Sequence, residues 1–148
     1  MKDINTPLQT VYFQALNGNV PHPSGGPAVK VYEDQEPDNE LADMYIVIMG
    51  RTSFDTSTKN STDVSAQIQV TVNSSKNKYN NRKALNAVCN SIYQLIKPTP
   101  NAVLDMSAFN MQMLNLSADA DNEVDYGVIA NKAFVSRNII FQQDIFIK

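Results

Sequence analysis

Near the start of the chain, Leu8, Val11, Tyr12, Ala15 and Leu16 recur at helical spacing and share one face. Thr6 in a capping position, Pro7 at the first helical position and Gly18 as a stop complete the signature of a short amphipathic helix of about three turns. Asn19 to Pro27 holds three prolines and two glycines and predicts an irregular connection. Two strand-like runs follow, Ala28 to Glu33 and Tyr45 to Thr52, separated by an acidic loop from Asp34 to Asp43. Tyr45 to Met49 is apolar throughout, which predicts a central strand covered on both faces.

From Val64 the pattern changes to strict alternation. Val64, Ala66, Ile68, Val70 and Val72 take one face, while Ser65, Gln67, Gln69 and Thr71 take a wet one. The preceding stretch, Ser53 to Asp63, contains six Ser or Thr and a single apolar anchor, Phe54, so strand and loop together predict an arm reaching beyond the core. Leu85, Val88, Ile92, Leu95 and Ile96 return to helical spacing and predict a second helix from Tyr79 to Ile96, ended by Pro98.

Phe109, Met111 and Met113 then alternate as a strand, with Leu114 and Leu116 shifting face as at a bulge, and Asn138 to Ile147 forms a closing strand. The intervening acidic run reads as a solvated loop that would tolerate neutralisation without loss of folding. The predicted architecture is α+β: one domain over residues 1–148, with a mostly antiparallel or mixed sheet of about four to five strands. That sheet packs against two main helices and carries a long extended strand-loop arm.

A chain of 148 residues suits one core. Charged residues make up 18%, below the roughly 25% of ordinary soluble domains, and 17 Asn and 9 Gln stand in their place. An amide-rich surface hydrogen-bonds without self-repulsion and suits close protein contact. The net charge of −3 carries no basic footprint for tight, nonspecific nucleic-acid binding. Cys89, the one cysteine, falls in a helical pattern and reads as a small buried hydrophobe. With no apolar run long enough for a signal peptide or a membrane span, the expected compartment is a cytoplasm.

Candidate chemistry is sparse. A zinc centre needs converging ligands, and the single histidine, His22, sits in a Pro-rich loop where exposure is expected. Asp119, Asp121, Glu123 and Asp125 imitate the first half of a calcium loop, but Val124 occupies the glycine position and Ala130 the place of the bidentate Glu. Ser24 to Pro27 lacks the Gly-Lys-Ser/Thr ending of a phosphate loop and reads as a turn. Lys76, Lys78, Arg82 and Lys83 gather around Tyr79 at the start of the second helix, where positive charge is disfavoured. That cluster points to a solvated loop or a salt-bridging subunit contact more than to a phosphate site. No residue set marks an enzyme, a cofactor or a metal site, and the expectation is a non-enzymatic chain.

Several segments together carry a family resemblance. They are the first helix ending Phe13-Gln14-Ala15-Leu16, the strand Tyr45-Ile46-Val47-Ile48-Met49-Gly50, the loop Asp55-Thr56-Ser57-Thr58-Lys59, and the strand Val64 to Val72 feeding Asn81-Arg82-Lys83-Ala84-Leu85-Asn86-Ala87-Val88. In order and spacing they resemble the tail terminator or tail completion proteins of tailed bacteriophages. That resemblance implies a homo-oligomeric ring of roughly six or twelve copies under cyclic symmetry. Such a ring caps the tail tube, joins it to the head beside neck, connector or tail-tube neighbours, and lets DNA through a channel without specific binding. It would be assembled in the host cytoplasm and reside in the virion, away from any membrane.

On this reading Ser53, Phe54, Asp55, Thr56, Lys59, Tyr79, Arg82 and Lys83 are candidate subunit contacts. Asp119, Asp121, Glu123 and Asp125 are candidate channel or neighbour contacts. The segment from Leu116 to Phe134 departs from the family pattern as an insert, suggesting a different ring size or neighbour. The alternatives are a ring protein of a short-tailed phage tail barrel, a monomeric adaptor binding a partner through a strand edge, and a small hydrolase with unmarked carboxylates.

Overall fold

A computed structural model describes residues 3–35, 43–58, 62–77 and 81–148. The element order is α1 (Asn5–Leu16), β1 (Lys30–Glu33), β2 (Met44–Asp55), β3 (Asp63–Asn77), α2 (Asn81–Ile96), a 3-10 turn (Ser107–Phe109), β4 (Met111–Ile129) and β5 (Lys132–Ile147). The five strands form one mixed sheet in the order β1-β2-β3-β5-β4, with β1 and β2 parallel and the other pairs antiparallel. Both helices lie on one face, α1 over β1 and β2 and α2 over β3 and β5. This is a two-layer α+β domain.

The alternation in β3 sorts its residues as predicted: Val64, Ala66, Ile68, Val70 and Val72 are buried beneath the helices. In β5, Val135, Ile139, Phe141, Ile145 and Ile147 are buried in the same core. In α2, Ala84, Leu85, Val88, Cys89, Ile92 and Ile96 face that floor, and burial pushes the Cys89 thiol up to about 12. Leu8, Val11, Tyr12 and Leu16 of α1 complete the layer.

Four expectations are corrected. Thr6 does not cap α1: the helix begins at Asn5, whose amide is met by Asp3 Oδ1 at 3.0 Å, and Thr6 is already helical. Helices cover only one side of β2, so Val47 on its other face is buried without a second layer, in register with Tyr32, whose ring meets Tyr45 edge-on at 6.1 Å. Phe109 belongs to the 3-10 turn, and the strand starts two residues later. The largest difference concerns Leu116 to Phe134, which is no loop but the outer half of β4, its turn and the start of β5. Ala130 and Asn131, at φ 51° and 66°, make that turn. Two left-handed residues match the twist of a tight hairpin, yet the pair lacks the glycine that would have marked it.

Deep in the core, Tyr12 donates its hydroxyl to Gln143 Oε1 at 2.7 Å, and Gln143 Nε2 donates to the Ala66 carbonyl at 2.8 Å. Gln143 is fully buried, so each of these bonds satisfies a group that water cannot reach. Burial raises the Tyr12 pKa and keeps the phenol a donor. Tyr12→Phe should cost about 1–3 kcal/mol in urea unfolding, because Gln143 then keeps a buried oxygen without its donor. An unchanged midpoint would show that the bond contributes nothing.

Candidate functional site

The acidic residues of β4 are divided between the two faces of the sheet. Asp121, Glu123 and Asp125 pair in register with Ile139, Arg137 and Val135, on the side that carries the helices. A register shift between Ala118 and Ala120 throws Asp119 to the other side, where Gln67 Nε2 donates to its Oδ2 at 3.3 Å. The bulge therefore breaks the four-acid row that the spacing suggests.

The helix-side acids are bound within the chain. Arg137 grips Asp121 with Nε at 2.7 Å and Nη2 at 2.6 Å, and reaches Asn86 Oδ1 with Nη1 at 3.0 Å. Tyr93 donates its hydroxyl to Asp121 Oδ2 at 2.7 Å. One helical turn before Asn86, Arg82 meets Glu123 at 3.3 Å and Asp125 at 3.0 Å. Arg82, Asn86, Asp121, Glu123 and Arg137 line an open recess of about 530 Å³ between α2 and the outer strands.

The Arg137 hydrogen bonds hold the Asp121 carboxyl below its ordinary pKa despite partial burial, and Asp121 in turn raises Arg137. The Tyr93 phenol is raised, first by desolvation and then by its bond to Asp121. A carboxylate held ionised by a forked guanidinium is a poor proton donor near neutral pH, so the arrangement is a latch between α2 and β4.

Arg82 thus makes a salt bridge inside the chain, while Lys83 stands exposed one residue on. Ser53, Phe54 and Asp55 lie at the far end of β2, with Phe54 60% exposed. Thr56 donates its amide to the Asp63 carbonyl at 2.9 Å, and Asp55 Oδ1 accepts from Ser57 N at 2.8 Å, which closes the described base of that hairpin and lowers the Asp55 pKa. Lys59 and Tyr79 fall outside the described residues. His22 is less exposed than its loop suggested: its side chain is 15% accessible, with Nε2 at 3.1 Å from Asp43 and Nδ1 accepting from Ser24 N. Gly25 and Gly26, both at φ 84°, make the turn predicted there. Among the described residues, no three of His, Cys, Asp and Glu converge, and no helix is long and apolar enough to cross a membrane.

Arg137, Tyr93 and Asn86 were not singled out from sequence. Arg137 interrupts an apolar alternation, which is a usable signal, but its partner depends on the β4–β5 register.

The sheet's outer face carries polar side chains, mainly amides and hydroxyls, in contact with one another. Thr71 Oγ1 donates to Asn138 Oδ1 at 2.8 Å, Ser136 Oγ to Asn73 Oδ1 at 2.6 Å, and Asn115 Nδ2 to Asp144 at 2.8 Å. Near the β4–β5 turn, Tyr45, Tyr126 and Phe134 bound a recess of about 310 Å³ on this face. At the sheet's margins, β1 covers only Tyr45 to Ile48 of β2, and β4 is an edge for its whole length. At about 3.3 Å per residue its 19 residues run near 60 Å.

A two-layer domain with one bare sheet face rich in amides and hydroxyls, and with long open edges, is the class of protein defined here. The fold is similar to that of a chain in a solved structure, "Virion of native gene transfer agent (GTA) particle", with a TM-score of 0.69 and 16% identity over 94% of each chain. No family model and no curated protein matches the chain.

Asp121→Asn should cost about 1–2 kcal/mol at neutral pH, the value of a charge-assisted bond discounted for partial exposure. Because the folded pKa of Asp121 is depressed, its contribution is complete above the ordinary value of 3.8 and is lost as pH falls through the lower folded value. Urea unfolding at pH 7 and pH 3 should therefore separate variant from parent at the higher pH and narrow the gap between them at the lower. Equal stability at both would show the latch to be idle.

Proposed function

We propose that the chain is a non-enzymatic structural subunit of a phage-type virion. In this reading it forms the neck or tail ring that caps the tail tube, joins it to the head and leaves a channel for DNA. The carrying observation is the fold shared with the gene transfer agent virion chain over 94% of both chains. The segment order resembling tail terminators adds the position in the particle.

Several physical features support a ring. A cyclic assembly repeats one heterologous contact and needs two different exposed surfaces on each copy. This sheet has them in the outer half of β2 and the length of β4. The bare face offers Gln67, Gln69, Thr71 and Asn138, with Arg51 bonded to Gln69 and Asp119 to Gln67, a surface mainly of amides and hydroxyls that holds a phosphate backbone only weakly. Three of the four acids of β4 are directed to the helix side, two in the grip of arginines on β5 and α2 and the third, Glu123, beside Arg82. As a channel lining, this mainly amide and hydroxyl sheet face therefore suits DNA passage better than the acidic row.

The long β4 edge also suits a monomeric adaptor that adds a partner's strand. Native mass and negative-stain microscopy of the purified chain decide between the two. Closed rings of identical copies are expected, and a chain that stays single while capturing an extended peptide would replace this reading with the adaptor.

A further inference from the structure

We infer that the ring proposed above is sealed edge to edge, β4 of one copy against the outer half of β2 of the next, so that the sheets of all copies run into one another. The inference rests on the ring reading and names its contact. Chain directions supply the first step. β2 runs antiparallel to β3, β3 to β5 and β5 to β4, so β2 and β4 point in opposite directions within one molecule. Copies placed side by side in the same sense therefore bring β4 of one beside β2 of the next as an antiparallel pair, which continues the pattern already present inside each sheet.

The β1 pairing stops at Ile48, and on that side of β2 no described strand lies along Met49 to Asp55, which leaves room for the pairing. Among the described residues no strand pairs with the outer side of the opposite edge, β4; of its backbone groups, the Leu116 carbonyl already accepts from Lys97 Nζ. Left bare, such an edge is an aggregation hazard, and β4 carries neither a proline nor a lysine to blunt it.

Side chains on the two edges are complementary and follow the same order. Phe54, 60% exposed on β2, sits in a cross-sheet row with Ser65, Asp144 and Asn115; Leu114, 50% exposed, immediately precedes Asn115 on β4. Further along the same edges, toward the middle of the sheet, β2 carries Arg51, directed to the outer face by its bond to Gln69, and β4 carries Asp119, directed there by Gln67. Each edge thus presents one exposed apolar residue near one end of the sheet and one charge further in, and the two charges are opposite. An antiparallel seam between copies would cover both apolar residues and bring unlike charges together.

The test uses the whole chain. Phe54→Lys spoils only the β2 edge, Leu114→Lys only the β4 edge, and Ile129→Lys, at a 65% exposed position by the β4–β5 turn, serves as the control. All three positions are exposed, so melting should stay within a few degrees of the parent. Should one variant fail to fold, serine replaces lysine at that position. Either edge variant should weaken assembly at least tenfold, while Ile129→Lys should still form rings. The two edge variants mixed in equal amounts keep one good edge each and should yield a two-chain species that neither forms alone. Rings that persist in both edge variants, or a mixture that gives no pair, would overturn the seam and leave the ring standing. A parent chain that remains single at millimolar concentration would overturn both.

Discussion

The uninterrupted antiparallel ladder between β3 and β5 is the contact on which the rest of the molecule depends. It runs in unbroken register from Asp63 opposite Phe146 to Asn77 opposite Lys132. Both neighbouring pairs, β2 with β3 and β4 with β5, contain register shifts, and this one has none. A one-residue slip would carry every side chain of a strand to the other face, and Val70 and Ile139 would exchange the core for solvent. The buried bond from Tyr12 to Gln143, and from Gln143 to the Ala66 carbonyl, pins that register at the middle of the sheet.

Given that floor, the remaining parts fall into place by size and polarity. Two helices cover one face and bury the aliphatic rows of β3 and β5, which leaves the second face to side chains that satisfy one another. Amides and hydroxyls do so without charge, and this explains the excess of Asn and Gln better than a surface designed for solvation alone. The long hairpin of β4 and β5 is held to α2 by ionic contacts, where the body of the sheet relies on apolar packing. Arg137, Asp121, Tyr93 and Arg82 supply the attachment that apolar side chains supply elsewhere.

Function follows from what the architecture leaves open. The charged groups beneath α2 are bound to one another, so the latch carries stability and orientation. The bare face and the two unlike edges are the features with unspent contact potential. In the proposed ring, each copy would meet its neighbours through backbone pairing and a few exposed apolar residues.

The sequence by itself determined both helices, the inward row of β3, the burial of Cys89 and the α+β class, because each is a local periodicity that a one-sided core imposes. It also marked Phe54 as a lone apolar residue in a polar stretch. What tertiary structure alone decided was the fate of Leu116 to Phe134. Its residues alternate little in hydrophobicity because the strand is an edge that α2 meets through charges. The acids Asp121, Glu123 and Asp125 therefore look solvated until Arg137 and Arg82, distant in sequence, are brought to them. The bulge that sends Asp119 to the other face is a property of the β4–β5 register, and no single segment contains that register.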